Sequence, residues 1–415
     1  MTSVITRRTR CRICGGLELR LILSLGPQPL ANGFLEPAAH YEEESSYPLD
    51  VYICETCFLL QLLDVVDREV LFRHYIYVTG TSDTIAAHNA RYAAEIVEML
   101  KLESSDLVIE AASNDGSLLK CFQQHGVRTL GIDPATNIAA MAERNGVETI
   151  NAFLDGESAV EVRRSHGPAR VVVANNVLAH VDDPRDFLNA CCHLLDGGGL
   201  IVVEVPAMDV MVARLEYDTI YHEHLSYFSV TSMLALCESV ELSLIRVDRV
   251  TVNGGSLRAF AGPRTHYAEH SAEVLAMVQA ESDIGISTTG YYDAFGAAVA
   301  RNRLGMRELL TRLKAEGRSV AGYAAPAKGN TLLNYCGIGP DLLPYTVDKN
   351  PLKVGLVTPG MHIPVLPVSA ILEKQPDYLL VLAWNFLDEI VAQQEEYRAR
   401  GGRFIDPIPE PQIIE

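Results

Sequence analysis

Tyr221, His222, Glu223 and His224 stand side by side in the segment YDTIYHEHLSYFS (217–229), an unusual density of titratable groups. A histidine whose basicity is adjusted by a nearby carboxylate is suited to removing a weakly acidic proton near neutral pH. In an extended segment Tyr221 and Glu223 face one side while His222 and His224 face the other, and in a helix all four fan around the axis. Two other readings stand beside the catalytic one: an exposed polar turn, or a second metal site on His222 and His224. No further Cys or His lies at ligand spacing nearby to support the latter.

Four cysteines suggest a different chemistry. Cys11 and Cys14 form one Cys-x-x-Cys pair, followed by Gly15 and Gly16, and Cys54 and Cys57 form a second. Four thiolates in two such knuckles match tetrahedral zinc, and with no water position left over the metal is structural. The stretch between them holds Pro27, Pro29, Asn32, Gly33, Pro37 and Pro48, too punctuated to build a large core of its own. Metal replaces the missing hydrophobic burial there. The competing readings are four unrelated thiols or a redox pair. Cys121, Cys191, Cys192, Cys237 and Cys336 lie in apolar surroundings and read as small buried hydrophobes.

These groups need a scaffold, and the middle of the chain supplies an α/β pattern. Residues 106–112 (DLVIEAA) form an apolar run suited to a buried parallel strand, which ends in Ser113, Asn114, Asp115 and Gly116 before a helical stretch. The next strand, 128–133 (RTLGID), ends in Asp133 about twenty positions beyond the loop, where a carboxylate accepts bonds from ribose hydroxyls. A strand at 170–176, a helix at 184–195 and a strand at 197–205 continue the alternation, implying a parallel, doubly wound sheet with ligands at the strands' carboxyl ends. The loop lacks G-x-G-x-x-G. A dinucleotide fold needs those glycines for its pyrophosphate, so the departure favours S-adenosylmethionine over NAD. Farther on, 318–324 reads as a strand and 327–335 as a helix, with Pro326 and Gly329 at the turn.

At 415 residues the chain divides into two or three domains, and three are expected. A net charge of −19, from 53 acidic against 34 basic residues, repels a phosphate backbone, so nucleic acid is not an expected partner. No apolar run reaches the roughly 18 to 20 residues of a membrane span, and the first ten residues lack a signal-peptide pattern. A cytoplasmic enzyme with reduced thiols is therefore expected, and a monomer.

Taken together, the knuckles, YIYVTGTS (75–82), EAASNDG (110–116), NNVLAHVDD (175–183), YHEHLSYFS (221–229), VNGGSLRAF (252–260) and GYAAPAKGNTLLNY (322–335) resemble the deoxysugar C-methyltransferases of antibiotic biosynthesis, which act on dTDP-linked 4-keto-6-deoxysugars. The match runs in order over nearly the whole chain. It implies an N-terminal zinc-binding domain (1–70), a central Rossmann-like S-adenosylmethionine methyltransferase domain (71–280) and a C-terminal α/β nucleotide-fold-like domain (281–415) that helps to hold the nucleotide sugar. By the same similarity His224 is the base at C3, Glu223 positions or tunes it, and Tyr221 and Tyr75 offer hydroxyl donors to the oxyanion.

The expected cofactor contacts are Tyr77, Ser82, Ala112, Ser113, Asn114, Gly116, Asp133, Pro134, Asn151 and Asn175. Substrate contacts are expected from Asn176, His180, Asn253, Ser256 and Arg258, and from Lys328 and Asn330 at a helix N-terminus that suits a diphosphate. Close relatives methylate C5 with similar motifs, so regiochemistry is inherited from the resemblance alone. An NAD-dependent nucleotide-sugar dehydrogenase or epimerase is a second reading, weakened by the missing glycine fingerprint. A non-catalytic zinc scaffold is a third.

Overall fold

The computed structural model describes residues 4–37, 41–73, 83–251 and 254–414. Two compact units divide the chain. One gathers Met1–Arg20, Tyr52–Asp209 and Leu225–Ser287, and the other Leu21–Val51, Val210–His224 and Thr288–Glu415. The four cysteines belong to the first unit, whereas the Tyr221–His224 segment belongs to the second with the C-terminal third of the chain.

The first unit is built on a seven-stranded sheet. Its strands are β1 (Leu107–Ala111), β2 (Arg128–Ile132), β3 (Thr149–Ile150), β4 (Ala169–Asn175), β5 (Leu195–Pro206), β6 (Leu242–Val250) and β7 (Ser256–Pro263). They lie in the order β6-β7-β5-β4-β1-β2-β3. Strands β1 to β5 pair in parallel, and β7 closes against β5 and β6 antiparallel. The parallel strands read as near-continuous apolar runs because helices cover both faces. Val108, Val171, Val173 and Val202 are buried against Phe122 of α2 (Ser117–Gln124) and Tyr92 and Ile96 of α1 (Asp83–Leu100). Each such side chain contributes roughly 1.5–3 kcal/mol through burial, enough to fix the strand positions without help from local propensity. Strand order reverses between β1 and β4, the point at which such sheets open a crevice at their carboxyl ends.

The zinc-bearing stretch adds short pairings to the same unit. Ile5–Arg7 runs antiparallel to Asp64–Val66, and Leu60–Leu62 pairs antiparallel with Ser226–Tyr227, immediately after the histidine segment.

The second unit has a six-stranded sheet of β8 (Val320–Tyr323), β9 (Thr346–Asp348), β10 (Val365–Pro367), β11 (Tyr378–Val381), β12 (Arg403–Asp406) and β13 (Gln412–Ile414), ordered β10-β9-β8-β11-β12-β13 with only β13 antiparallel. It is preceded by the long helix α3 (Thr289–Ala315), and α4 (Ala327–Cys336) follows β8. Residues 210–224 join this unit in part through the turn at Tyr217–Thr219. Tyr217 is fully buried and its hydroxyl donates to Asn302 Oδ1 on α3 at 2.8 Å, while Asn302 Nδ2 donates to the Pro407 and Pro409 carbonyls.

The first strand-to-helix turn of each unit follows one local plan. The Asn114 amide after β1 donates to Asp133 Oδ2 at the end of β2 (2.9 Å), and the Ala325 amide after β8 donates to Asp348 Oδ2 at the end of β9 (2.7 Å).

Candidate active site

In the first unit, Cys11, Cys14, Cys54 and Cys57 present sulfurs that all lie within 4.8 Å of one another, with Cys11 to Cys57 at 3.4 Å and Cys14 to Cys54 at 3.5 Å. Four sulfurs about 2.3 Å from a tetrahedral zinc stand about 3.8 Å apart, so the cluster fits that ion with small adjustment. The turn depends on Gly16, where an added Cβ would meet Cys14 Sγ at 3.2 Å and Cys54 Sγ at 3.6 Å.

The loop after β1 takes positive φ at every second residue: 54° at Ala112, 50° at Asn114 and 78° at Gly116. Such a zigzag is the backbone of a glycine-rich ligand loop made with one glycine, and it leaves the amides at the start of α2 without a side-chain cap from Gly116. Asp133 is aimed by two backbone amides, from Asn114 and Ala135 (both 2.9 Å), and each oxygen keeps a further lone pair for a hydroxyl donor. Its carboxyl is pushed up by burial. Asn151 Nδ2 donates to the Asp133 carbonyl at 2.8 Å, and the Pro134 carbonyl accepts from Arg73 at 3.4 Å. Glu110 Oε2, Ser113 Oγ and Asn175 Oδ1 are buried without a hydrogen-bond partner among the described residues. These acceptors suit a ligand rich in donors, and S-adenosylmethionine has an ammonium and two ribose hydroxyls. The residues therefore fit the cofactor.

Of the expected substrate contacts in this unit, Asn176 directly follows β4 with φ 54°, its amide donating to the Glu204 carbonyl at 2.7 Å. The His180 ring is stacked by Phe72 (5.5 Å, 25°). Ser256 is buried at the start of β7. Arg258 is committed to the fold: its Nε reaches Glu204 Oε2 at 2.9 Å, Nη1 reaches Glu95 at 3.1 Å, and the guanidinium lies over the Tyr92 ring. Tyr75, Tyr77, Ser82 and Asn253 lie outside the described residues.

In the second unit the histidine segment is a tight turn in which His222 and Glu223 are buried and Tyr221 and His224 partly so. His222 is buried and its Nε2 points at the Tyr47 and Pro48 carbonyls (3.3 and 3.2 Å). His224 Nδ1 stands 2.6 Å from the Thr219 carbonyl. A carbonyl accepts only, so Nδ1 carries the proton and Nε2 is the basic nitrogen. Burial pushes the His224 imidazole down to about 4, which keeps it neutral at physiological pH. The Tyr221 ring packs against it at 4.0 Å. Glu223, buried, accepts from Asn32 Nδ2 at 2.6 Å. Burial of His222 and Glu223 is at odds with an exposed polar turn, and among the described residues the four cysteines are the one group of three or more His, Cys, Asp or Glu able to hold a metal.

Comparison with known proteins follows the same outline. The chain is 38% identical to the C-methyltransferase NovU of Streptomyces niveus over 414 residues, covering 100% of this chain and 99% of that protein. This chain belongs to the C-methyltransferase family. Three family models match in sequence: a zinc binding domain (11–72), a methyltransferase domain (85–247) and a C-methyltransferase C-terminal domain (251–409). The ubiquinone biosynthesis O-methyltransferase of Leptothrix cholodnii is 24% identical over 152 residues, covering 33% of this chain and 64% of that protein. The magnesium protoporphyrin IX methyltransferase ChlM of Synechocystis PCC 6803, solved with bound S-adenosylmethionine, is 14% identical, covering 45% of this chain and 88% of that one at a TM-score of 0.34. The protein is an S-adenosylmethionine-dependent C-methyltransferase with a four-cysteine zinc site.

Other residues make contacts in these units that the sequence does not announce, and two expected ones make contacts of their own. Thr219 supplies a backbone carbonyl, which carries no side-chain signal. Asp218, fully buried beside it, accepts from the Trp384 indole at 2.7 Å, and burial pushes its carboxyl up to about 6. Lys328, expected at a diphosphate, has its Nζ 3.9 Å from the Trp384 ring centroid and bonds Asn385. Burial lowers it to about 8, opposed by the charges of Asp218 and Glu216. Asn330 is fully buried and donates to the Ala31 carbonyl at 2.8 Å. Lys353, buried, donates to the Ala325 carbonyl at 2.8 Å. Glu204 had one legible signal: a lone carboxylate in an otherwise apolar strand, IVVEV.

Proposed function

We propose that the enzyme transfers a methyl group to C3 of a dTDP-linked 4-keto-6-deoxysugar, with His224 as the base. The observation that carries this reading is the fixed tautomer of His224: Nδ1–H is spent on the Thr219 carbonyl and the ring stays neutral, so Nε2 is its basic nitrogen. A proton next to a ketone is acidified because its electron pair can pass to the carbonyl oxygen. Nε2 takes the C3 proton, and the pair moves to the oxygen as an enolate. The Tyr221 hydroxyl donates to that oxygen, with Tyr75 as a second donor. When bound, S-adenosylmethionine supplies the methyl group on a positively charged sulfur. In taking the methyl, C3 draws the pair back from oxygen, the sulfur–methyl bond breaks with its pair left on the departing sulfur, and the ketone is restored. An imidazole at about 4 is a weak base in the free enzyme, and the negative charge growing on the enolate raises its proton affinity during the step.

Asn176, His180 and Ser256 are the proposed sugar contacts, and Ala112 to Gly116 with Asp133 the cofactor contacts. We place the enzyme in the cytoplasm as a monomer; no helix of the described residues is long and apolar enough to cross a membrane.

Purified protein supplied with S-adenosylmethionine and a panel of dTDP-4-keto-6-deoxysugars should yield a product with a new methyl at C3, located by NMR, and should wash deuterium into C3 in heavy water. A methyl at C5, or none on any member, refutes the assignment. His224→Asn should abolish both transfer and exchange while cofactor binding persists; unaltered turnover removes His224 from the role.

A further inference from the structure

We propose that Arg8 and Arg12 grip Asp182 and so fix the loop that carries His180, which makes the four-cysteine module a positioning element of the active site. The inference rests on the reading that His180 meets the substrate.

Arg12 directly follows a zinc ligand, and its side chain has no exposed surface. Its Nη1 bonds the Leu62 carbonyl and Gln61 Oε1, its amide bonds the same Gln61 oxygen, and Nε stands 3.4 Å from Asp182 Oδ1. Arg8 completes the grip with a two-toothed contact, Nε to Oδ1 at 2.6 Å and Nη2 to Oδ2 at 3.0 Å. A forked guanidinium contact fixes direction as well as distance. Asp182 lies two residues beyond His180. The loop is held from two further points. The Ala179 carbonyl accepts from Leu225, whose own carbonyl accepts from Leu62 (2.8 and 3.0 Å), and Phe72 covers the His180 ring. Residues 8, 12, 62 and 72 all come from the zinc-bearing stretch, so each hold on the loop traces back to that module.

Stability alone gives little reason for the arrangement. Asp182 is half-exposed, and exposed ion pairs add about 0–1 kcal/mol. Geometry is the larger stake, because a displacement of about 1 Å in a substrate-facing group costs on the order of 100-fold in rate. Asp182 and the arginines act through His180 and are positioning residues.

The test uses the full chain with its zinc. Asp182→Asn and, as a second variant in case the first folds poorly, Arg8→Gln should keep the metal content and the affinity for S-adenosylmethionine. Both should lower kcat on the order of 10- to 100-fold, with KM changed little. In a cycle with His180→Asn, the Asp182→Asn loss should largely vanish, since two changes on one path do not add. Amide hydrogen exchange over residues 178–182 should quicken about tenfold or more in both variants. Unchanged exchange there overturns the proposal whatever turnover does, as does a kcat loss that adds in full to that of His180→Asn. Full turnover in His180→Asn alone defeats the reading of His180 as a substrate contact, while faster exchange in the Asp182 variant still upholds the grip.

Discussion

Acid should weaken the folded second unit through His224. The imidazole takes a proton below about 6.5 in the unfolded chain and only below about 4 in the fold, so between those values the unfolded state binds more protons. The stability it contributes is therefore fully present above about 6.5 and is lost as pH falls toward about 4. The gap of about 2.5 pH units, at roughly 1.4 kcal/mol per unit, sets a ceiling of about 3 kcal/mol, and at pH 5 of about 2 kcal/mol. The residue is only partly buried, so about 1–2 kcal/mol at pH 5 is the expected size. His224→Asn cannot charge, which makes it the control. The chain's one tryptophan, Trp384, bonds Asp218 in the same unit and gives a fluorescence readout of its unfolding. Urea titrations of both proteins between pH 5 and pH 8 should show the wild type losing about 1–2 kcal/mol relative to the variant on acidification. A gap that stays constant across that range refutes the argument, whatever the enzyme's substrate proves to be.

Cys54→Ser should release the zinc and lower the melting temperature, as read by metal analysis and calorimetry; a variant that keeps a full equivalent of zinc rules out the four-sulfur site. Arg258→Ala leaves the Glu204 carboxylate buried beside His88 and should cost about 3–5 kcal/mol in chemical denaturation, where a loss near zero would show that the pair is not needed. Ala112→Gly relieves a side chain held at φ 54° and should be neutral or stabilising by up to about 1 kcal/mol, whereas Ala112→Val should destabilise; a clear loss on the glycine change contradicts the positive φ.

Four strands of the first sheet and one of the second were legible to within about two residues, because a parallel strand covered on both faces is a short apolar block; the other three of the first sheet and five of the second, short or edge-lying and antiparallel among them, were not read. The run at 170–176 is Ala169–Asn175, and 318–324 contains Val320–Tyr323. The cysteine cluster was legible from spacing alone. Partnerships were harder. Arg258 was expected at the substrate, and nothing local in the sequence announces its pairing with Glu204 across a strand pair. Ala112 and Asn114 adopt a glycine-like backbone that only glycine advertises. The proton placement on His224 depends on the main chain of Thr219, and Asn32 reaches Glu223 across 191 positions of sequence. Contacts of that separation leave no periodicity to read.

The second unit's scattered make-up bears on how such enzymes can be recombined. Its share of the chain is not one contiguous block: residues 21–51 and 210–224 are threaded through the other unit's sequence before the final segment begins at Thr288. Exchanging only the final segment with that of a relative would part Tyr217 from Asn302, Asp218 from Trp384 and the Ala31 carbonyl from Asn330. A chimera meant to carry over this unit whole must transplant three pieces of gene, not one.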